Sequence, residues 1–241
     1  MAGHLYNGGL EKVRWFVRRF GFLELLRLPV RKALSPWVRP RLKSRRFSLR
    51  GREWDCVYHD HNVTWSNERC VEVGLGLAYF DEFKGQSILE VGNVMSHYAD
   101  TSHPVVDKYE HAPGVINEDI VAYRTGERFD LVFSISTLEH IGFDDDATGV
   151  SAGKILDAID ACKALLAPGG RFAFTVPIGY NPDLDELIRR RALGMARTEF
   201  LIRRGPREWE EASHQAAIRA AFGSPYPYAN ALLIAEHEAP R

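Results

Sequence analysis

Long uncharged apolar runs are absent from this chain of 241 residues. The most apolar N-terminal stretch, residues 20–30, is broken by Glu24 and Arg27, well short of the roughly 18 uncharged residues of a membrane span. The same charges, with Arg14, Arg18 and Arg19 before them, exclude the apolar core of a signal peptide. Cysteine is scarce: Cys56, Cys70 and Cys162 are odd in number and lack metal-ligand or redox spacing. Free thiols in a reducing compartment follow, so the expected location is the cytoplasm. Neither G-x-G-x-x-G nor G-x-x-x-x-G-K-[ST] occurs, which argues against a loop that cradles a pyrophosphate. Internal repeats and low-complexity tracts are missing as well.

Acidic residues are nearly missing from one end. Residues 1–52 hold 14 Lys and Arg against two acids, Glu11 and Glu24, a charge of +12. Residues 53–241 carry −13, so the overall −1 conceals a basic arm on an acidic body. Between Leu10 and Leu34, apolar residues recur at helical spacing among arginines. Pro29, Pro36 and Pro40 interrupt the pattern and predict two short helices. We therefore expect a basic, amphipathic, helical extension over 1–52 and an α/β domain over 53–241. Residues 10–52 suit three roles: peripheral contact with the anionic inner face of a membrane, packing on the acidic body or a second subunit, or nucleic-acid binding. No nucleic-acid partner is expected, because no RNA-binding module or aromatic platform accompanies the charge.

The rest of the text is regular. A helix is expected over 67–83, followed by apolar strands at 86–91, 103–107, 114–120 and 129–136. A helix over 151–166 then leads, through Ala167-Pro168-Gly169-Gly170, to a strand at 171–176. A helix over 183–193 and strands at 199–203 and 229–236 complete the order. Strands alternating with helices imply parallel βαβ units and a doubly wound, mostly parallel sheet.

Ligands of such sheets lie beyond the carboxyl ends of the strands, at the switch point of strand order. The rim there is Gly92-Asn93-Val94, then Asp107 with Lys108, Tyr109 and Glu110, then Glu118 and Asp119, then Ser136 to His140. Acidic residues close two successive strands. A carboxylate in that position can accept both hydroxyls of a ribose, whereas phosphates want amides and no nearby anion. The rim thus favours a nucleoside without phosphates.

These segments, in this order, resemble class I S-adenosylmethionine-dependent methyltransferases. ILEVGNV is similar to the family's first motif, VVDKYE to the acidic end of its second strand, and NEDI to its third-strand segment. FDLVFSISTLEHIG and LLAPGGRFAFTV are similar to its fourth and fifth motifs. The resemblance covers about residues 67–177. It implies S-adenosyl-L-methionine as cofactor and a seven-stranded sheet with an antiparallel last strand, for which 229–236 is the candidate. It also carries over Glu90, Gly92, Asp107, Asp119 and Ser136 as cofactor contacts. One departure stands out: a single glycine replaces the usual three. The interval from Gly92 to Asp107 leaves little room for a helix, so Asn93, Ser96 or His97 would hold the cofactor's methionine end. The upstream stretch YHDHNVTWSNERCVE resembles an uncharacterised, glycan-associated branch of the family.

Methyl transfer to a hydroxyl calls for a base, and His140 stands just past the fourth strand with an unperturbed pKa near ~6.5. Its alternative role is a bond to the loop backbone. Tyr180 and Asn181 are candidate acceptor contacts, although Asn181-Pro182 equally suits a helix start. His61 is a third substrate candidate. His59-Asp60-His61 carry ligand chemistry but read as a solvated loop, and Asp144-Asp145-Asp146 suit a helix N-terminus better than Mg²⁺, so no metal site is expected. The expected activity is O-methylation of a saccharide hydroxyl, with the acceptor carried on a lipid. A small non-sugar acceptor and a non-catalytic partner that kept the fold are the alternatives.

Overall fold

The computed structural model describes residues 9–143 and 152–241; Asp144, Asp145 and Asp146 lie outside them. Two helices open the chain, α1 (Gly9–Phe20) and α2 (Phe22–Val38). The break between them falls at Gly21, which has φ 86°, and not at a proline; Pro29 and Pro36 both sit inside α2. The Gly21 amide donates to the Val17 carbonyl at 2.9 Å, the closing bond of a helix that ends in a left-handed residue.

A small antiparallel hairpin follows, β1 (Arg46–Leu49) and β2 (Arg52–Asp55). Its two-residue turn, Arg50-Gly51, has φ of 60° and 66°, the combination that matches the twist of paired strands. The boundary expected near Arg52 falls inside this hairpin, and Phe47 and Leu49 are buried in a core they share with the α/β domain.

Helix α3 (Arg69–Glu82) leads into β3 (Ile88–Val91), β4 (Val105–Val106), β5 (Val115–Ile116) and β6 (Phe129–Ile135). Then come α4 (Ala152–Ala164), β7 (Leu166–Pro177), α5 (Pro182–Arg189), β8 (Arg197–Gly205), β9 (Glu208–Ala212), the single turn α6 (His214–Ala217) and β10 (Ala231–Glu238). The sheet order is β5-β4-β3-β6-β7-β10-β8-β9. β3 to β7 pair in parallel, while β10 runs antiparallel between β7 and β8. The α/β, mostly parallel sheet with its antiparallel late strand is therefore present, carrying one strand beyond seven. That strand is β9, an edge hairpin partner of β8. Its pattern EWEEA has a single buried side chain, Trp209, too little alternation to be seen in the sequence.

Each face of the sheet is covered, as the period of two demands. Leu131, Phe133, Ile135, Leu232 and Ile234 point to one side, where α3 and β1 bring Val71, Leu75, Tyr79, Phe47 and Leu49. Val132, Phe172, Phe174, Val176 and Leu233 point to the other, against Ile155 and Ile159 of α4 and Leu184 and Ile188 of α5. Among the described residues, no helix is long and apolar enough to cross a membrane. The three cysteines are free and buried.

The hairpin is tied to the sheet by charge. The Arg50 guanidinium reaches Glu199 at 2.6 Å and Glu236 at 2.9 Å, and the Tyr79 hydroxyl donates to the same Glu236 oxygen at 2.5 Å. Removing one member leaves a buried carboxylate short of a partner. Arg50→Ala is expected to lower the unfolding free energy by about 2 kcal/mol, less than the loss of a fully buried pair because Arg50 is partly solvated. Urea denaturation at neutral pH measures it, and an unchanged midpoint would refute the tie.

Candidate active site

Strand order reverses between β3 and β6, since the chain leaves β3 towards β4 on one side and returns to β6 on the other. A cavity of about 370 Å³ lies there, within the size range of small-molecule sites. Its wall is built from segments that follow successive parallel strands: Gly92 and Asn93 after β3, Asp107 after β4, Asp119 and Ile120 after β5, and Ser136, His140 and Ile141 after β6.

Gly92 shapes the floor. Its φ is 88°, and a Cβ at this position would collide with the Thr137 side chain. The turn thus needs a left-handed residue and a close approach between neighbouring strand ends, both of which only glycine allows. A single short 3-10 turn, Met95–His97, occupies the interval that follows. Glu90 holds this turn from below: its carboxylate accepts from the Val94 and Met95 amides at 2.9 and 2.8 Å, and lies 2.9 Å from His103 Nε2. Glu90 is fully buried, lies beneath the loop and is not among the residues lining the cavity above it.

Asp107 organises the rim. One oxygen accepts from the Asn93 amide at 2.9 Å, and the other from the Tyr109 and Glu110 amides, each at 2.8 Å. Asn93 in turn donates its side-chain amide to Glu110 at 2.9 Å and accepts from Ser96 at 2.6 Å. Burial works against ionisation of Asp119. The Val121 amide and the ammonium groups of Lys108 and Lys154, at 3.2 and 3.3 Å, outweigh it and hold the carboxyl below its usual range. Ser136 donates to the buried Glu72 at 2.6 Å and has a φ of 41°, a strained conformation for serine.

A second cavity, of about 230 Å³, shares Arg69, Ser136 and His140 with the first. Tyr180, Phe222 and Tyr228 give it aromatic walls, and Phe20, Leu28 and Lys32 bring the N-terminal extension to its edge. His140 stands between the two. Its Nδ1 is 3.3 Å from the Tyr180 hydroxyl, and its Nε2 is 3.7 Å from Glu139. Burial pushes the Glu139 carboxyl up to about 7; His140 opposes that shift and Glu72 adds to it.

Six of the ten residues singled out in the sequence, Gly92, Asn93, Asp107, Asp119, Ser136 and His140, line the first cavity, and Tyr180 lines the second. Asn181 does not reach either. It is fully buried, accepts from the Asp183 and Leu184 amides as the cap of α5, and donates to the Glu139 carbonyl at 2.9 Å. His61 also lines neither; its ring stacks on His97 at 4.2 Å, and burial, with the neighbouring His97 and His59, lowers its pKa to about 4. Asp60 accepts from Ser35 and Arg39 of the extension, so His59-Asp60-His61 do not converge on one point. Arg69 and Ile141 escaped the sequence reading, because neither ends a strand. Phe16, Phe20, Leu28 and Lys32 escaped it because nothing local says which cavity a distant helix will border.

No model of a known protein family matches the chain, and no curated protein matches it. Solved structures do. The N-methyltransferase NodS from Bradyrhizobium japonicum WM9 is 16% identical over 72% of this chain and 97% of its own, with a TM-score of 0.41. An S-adenosylmethionine-dependent methyltransferase from Clostridium acetobutylicum is 11% identical over 73% of this chain and 91% of its own, at 0.38. CalS10, an amino pentose methyltransferase from Micromonospora echinaspora, is 19% identical over 43% of this chain and 49% of its own, at 0.33. At these values a shared activity does not follow.

The raised pKa of Glu139 has a signed consequence. The native carboxyl holds its proton up to about pH 7, while the unfolded one releases it near 4.5. Between those values the native state binds more protons, so stability falls as pH rises through the window and is flat below it. Glu139→Gln is expected to flatten part of that decline in a series of thermal melts. A variant with the wild-type slope would show that Glu139 titrates normally.

Proposed function

We propose that the chain is an S-adenosyl-L-methionine-dependent methyltransferase that transfers a methyl group to a saccharide hydroxyl. One observation carries this: a nucleoside-sized cavity at the switch point, floored by Gly92 and rimmed by Asp107, shares His140 with a second, aromatic-walled cavity. The residues fit the cofactor. Gly92 turns the chain where a Cβ would meet the Thr137 side chain, so the two strand ends close beneath the cavity. Asp107 lines the cavity and, after serving three amides, keeps about one of its roughly four lone-pair sites for a ribose hydroxyl. Ile120 and Ile141 give the cavity apolar walls suited to a base, and Asn93 borders the end that would take the methionine portion.

When bound, S-adenosylmethionine supplies a methyl carbon on a positively charged sulfur that leaves with the bonding electrons. The protein must then align the acceptor, exclude water and take one proton. His140 borders both cavities and takes that proton from the acceptor hydroxyl. Tyr180, 3.3 Å away, orients the imidazole. Alternating C–H faces and hydroxyls of a sugar suit walls that combine Tyr180, Phe222 and Tyr228 with Asn67, Glu68 and Lys32. Because Leu28 and Lys32 of the basic extension line this cavity, we place the acceptor on a lipid at the cytoplasmic face of a membrane.

Titration calorimetry with S-adenosylhomocysteine is the direct test. Wild type is expected to bind, and Asp107→Ala to lose affinity on the order of 10²-fold through the rim and the ribose together. No heat at millimolar ligand would defeat the proposal. For the base, His140→Ala is expected to keep cofactor affinity while methyl transfer to an added lipid-linked oligosaccharide falls on the order of 10²–10⁴-fold. Full turnover by this variant would remove His140 from the chemistry.

A further inference from the structure

Helix α2 is mounted with its apolar face outward. Phe22, Leu23, Leu26, Val30, Leu34 and Trp37 recur at three- and four-residue spacing along one side, each between 48% and 61% exposed. With Val13 of α1, they are all of the exposed large apolar side chains among the described residues. The opposite side of α2 carries Glu24, Arg31 and Ser35 beside the half-buried Leu25 and Leu28, and its polar groups hold it to the body. The Ser35 hydroxyl donates to Asp60 at 2.6 Å and accepts from the Trp65 indole at 2.8 Å, Arg39 pairs with Asp60 at 3.0 Å, and Arg31 pairs with the buried Glu24. A helix that buried its stripe in a core would show the reverse. Of the three roles open to the extension, packing on the body accounts for the inward side only.

We infer that this stripe is a docking face for an anionic lipid surface. Charge supports that occupant. Among the described residues, Arg14, Arg18, Arg27, Lys32 and Lys43 have no carboxylate partner, and the one described acid side chain of the extension, Glu24, is buried. Arg27 borders the stripe directly. A 17-residue helix with an apolar outer side, cationic flanks and an aromatic residue at its end matches the requirements of a helix lying in the headgroup region.

A second copy of the chain fits less well. At ~1.5 Å per residue and ~10 Å width the stripe offers roughly 250 Å², against about 800 Å² per partner in a standard interface. A two-fold contact of stripe on stripe would also bring two sets of unpaired arginines together. The inference stands apart from methyl transfer: it concerns which face meets lipid, and it holds whatever the cavities bind.

The test uses the full chain, co-sedimented with phosphatidylcholine vesicles, with and without phosphatidylglycerol, at low and high salt. Wild type is expected to pellet with the anionic vesicles at low salt and to be released by high salt. Leu26→Asp is expected to weaken this about tenfold, and Arg27→Glu to weaken it and reduce its salt dependence. Leu26→Ser serves where the acidic variant fails to fold; both are exposed positions, so an unchanged melting temperature is expected. Wild type left in the supernatant of both vesicle types would overturn the inference, as would Leu26→Asp pelleting like wild type. A lipid-free dimer in sedimentation velocity that Leu26→Asp dissociates would assign the face to a second copy instead.

Discussion

The close approach of Gly92 to Thr137 is the constraint on which the site depends. Two parallel strands, β3 and β6, diverge in connectivity yet remain hydrogen-bonded neighbours up to Val91 and Ser134. Beyond that register the chain must turn within one residue, because Asp107 already waits to accept from the Asn93 amide. A left-handed residue without a side chain meets both demands at once. Once the turn is made, Asn93, Asp107 and Glu110 form a closed set of hydrogen bonds, supported from below by Glu90. The rim is therefore braced by hydrogen bonds without the helix that normally follows such a strand.

That constraint also explains the single glycine. Further glycines would be needed where backbone must pass close to a ligand or a following helix must pack tightly on the sheet. Here the segment after Gly92 is one 3-10 turn, with Met95 buried against the sheet and Ser96 exposed. Side chains are accommodated there: the His97 ring stacks on His61 at 4.2 Å.

Strand identity was legible where burial on both faces leaves long apolar runs, as in FDLVFSI of β6, whose residues past Asp130 are all buried. It was less so at β4 and β5, which shrink to two residues each, because a parallel sheet edge needs few bonds to place its loops. The strand-end residues of the candidate site followed directly from the topology. Less legible was where side chains that compete for hydrogen bonds spend them. Asn181 had a cap and a neighbouring carbonyl to serve, and Glu90 had two loop amides and a histidine. Proline was also misleading: α2 accommodates Pro29 and Pro36 where the pattern predicts ends. The orientation of α2 was not legible at all, since an amphipathic pattern states that one face is apolar and not which way it points.

The shared wall of Arg69, Ser136 and His140 gives the two cavities a thermodynamic relation as well as a spatial one. Ligands bound on either side would meet the same three side chains, one of them a strained serine and another anchored to the buried Glu72. Any rearrangement of that wall that favours one occupant changes the affinity for the other by the same factor in both directions. Order of addition would then carry no energetic preference of its own, and synergy or antagonism between donor and acceptor would be a property of three residues.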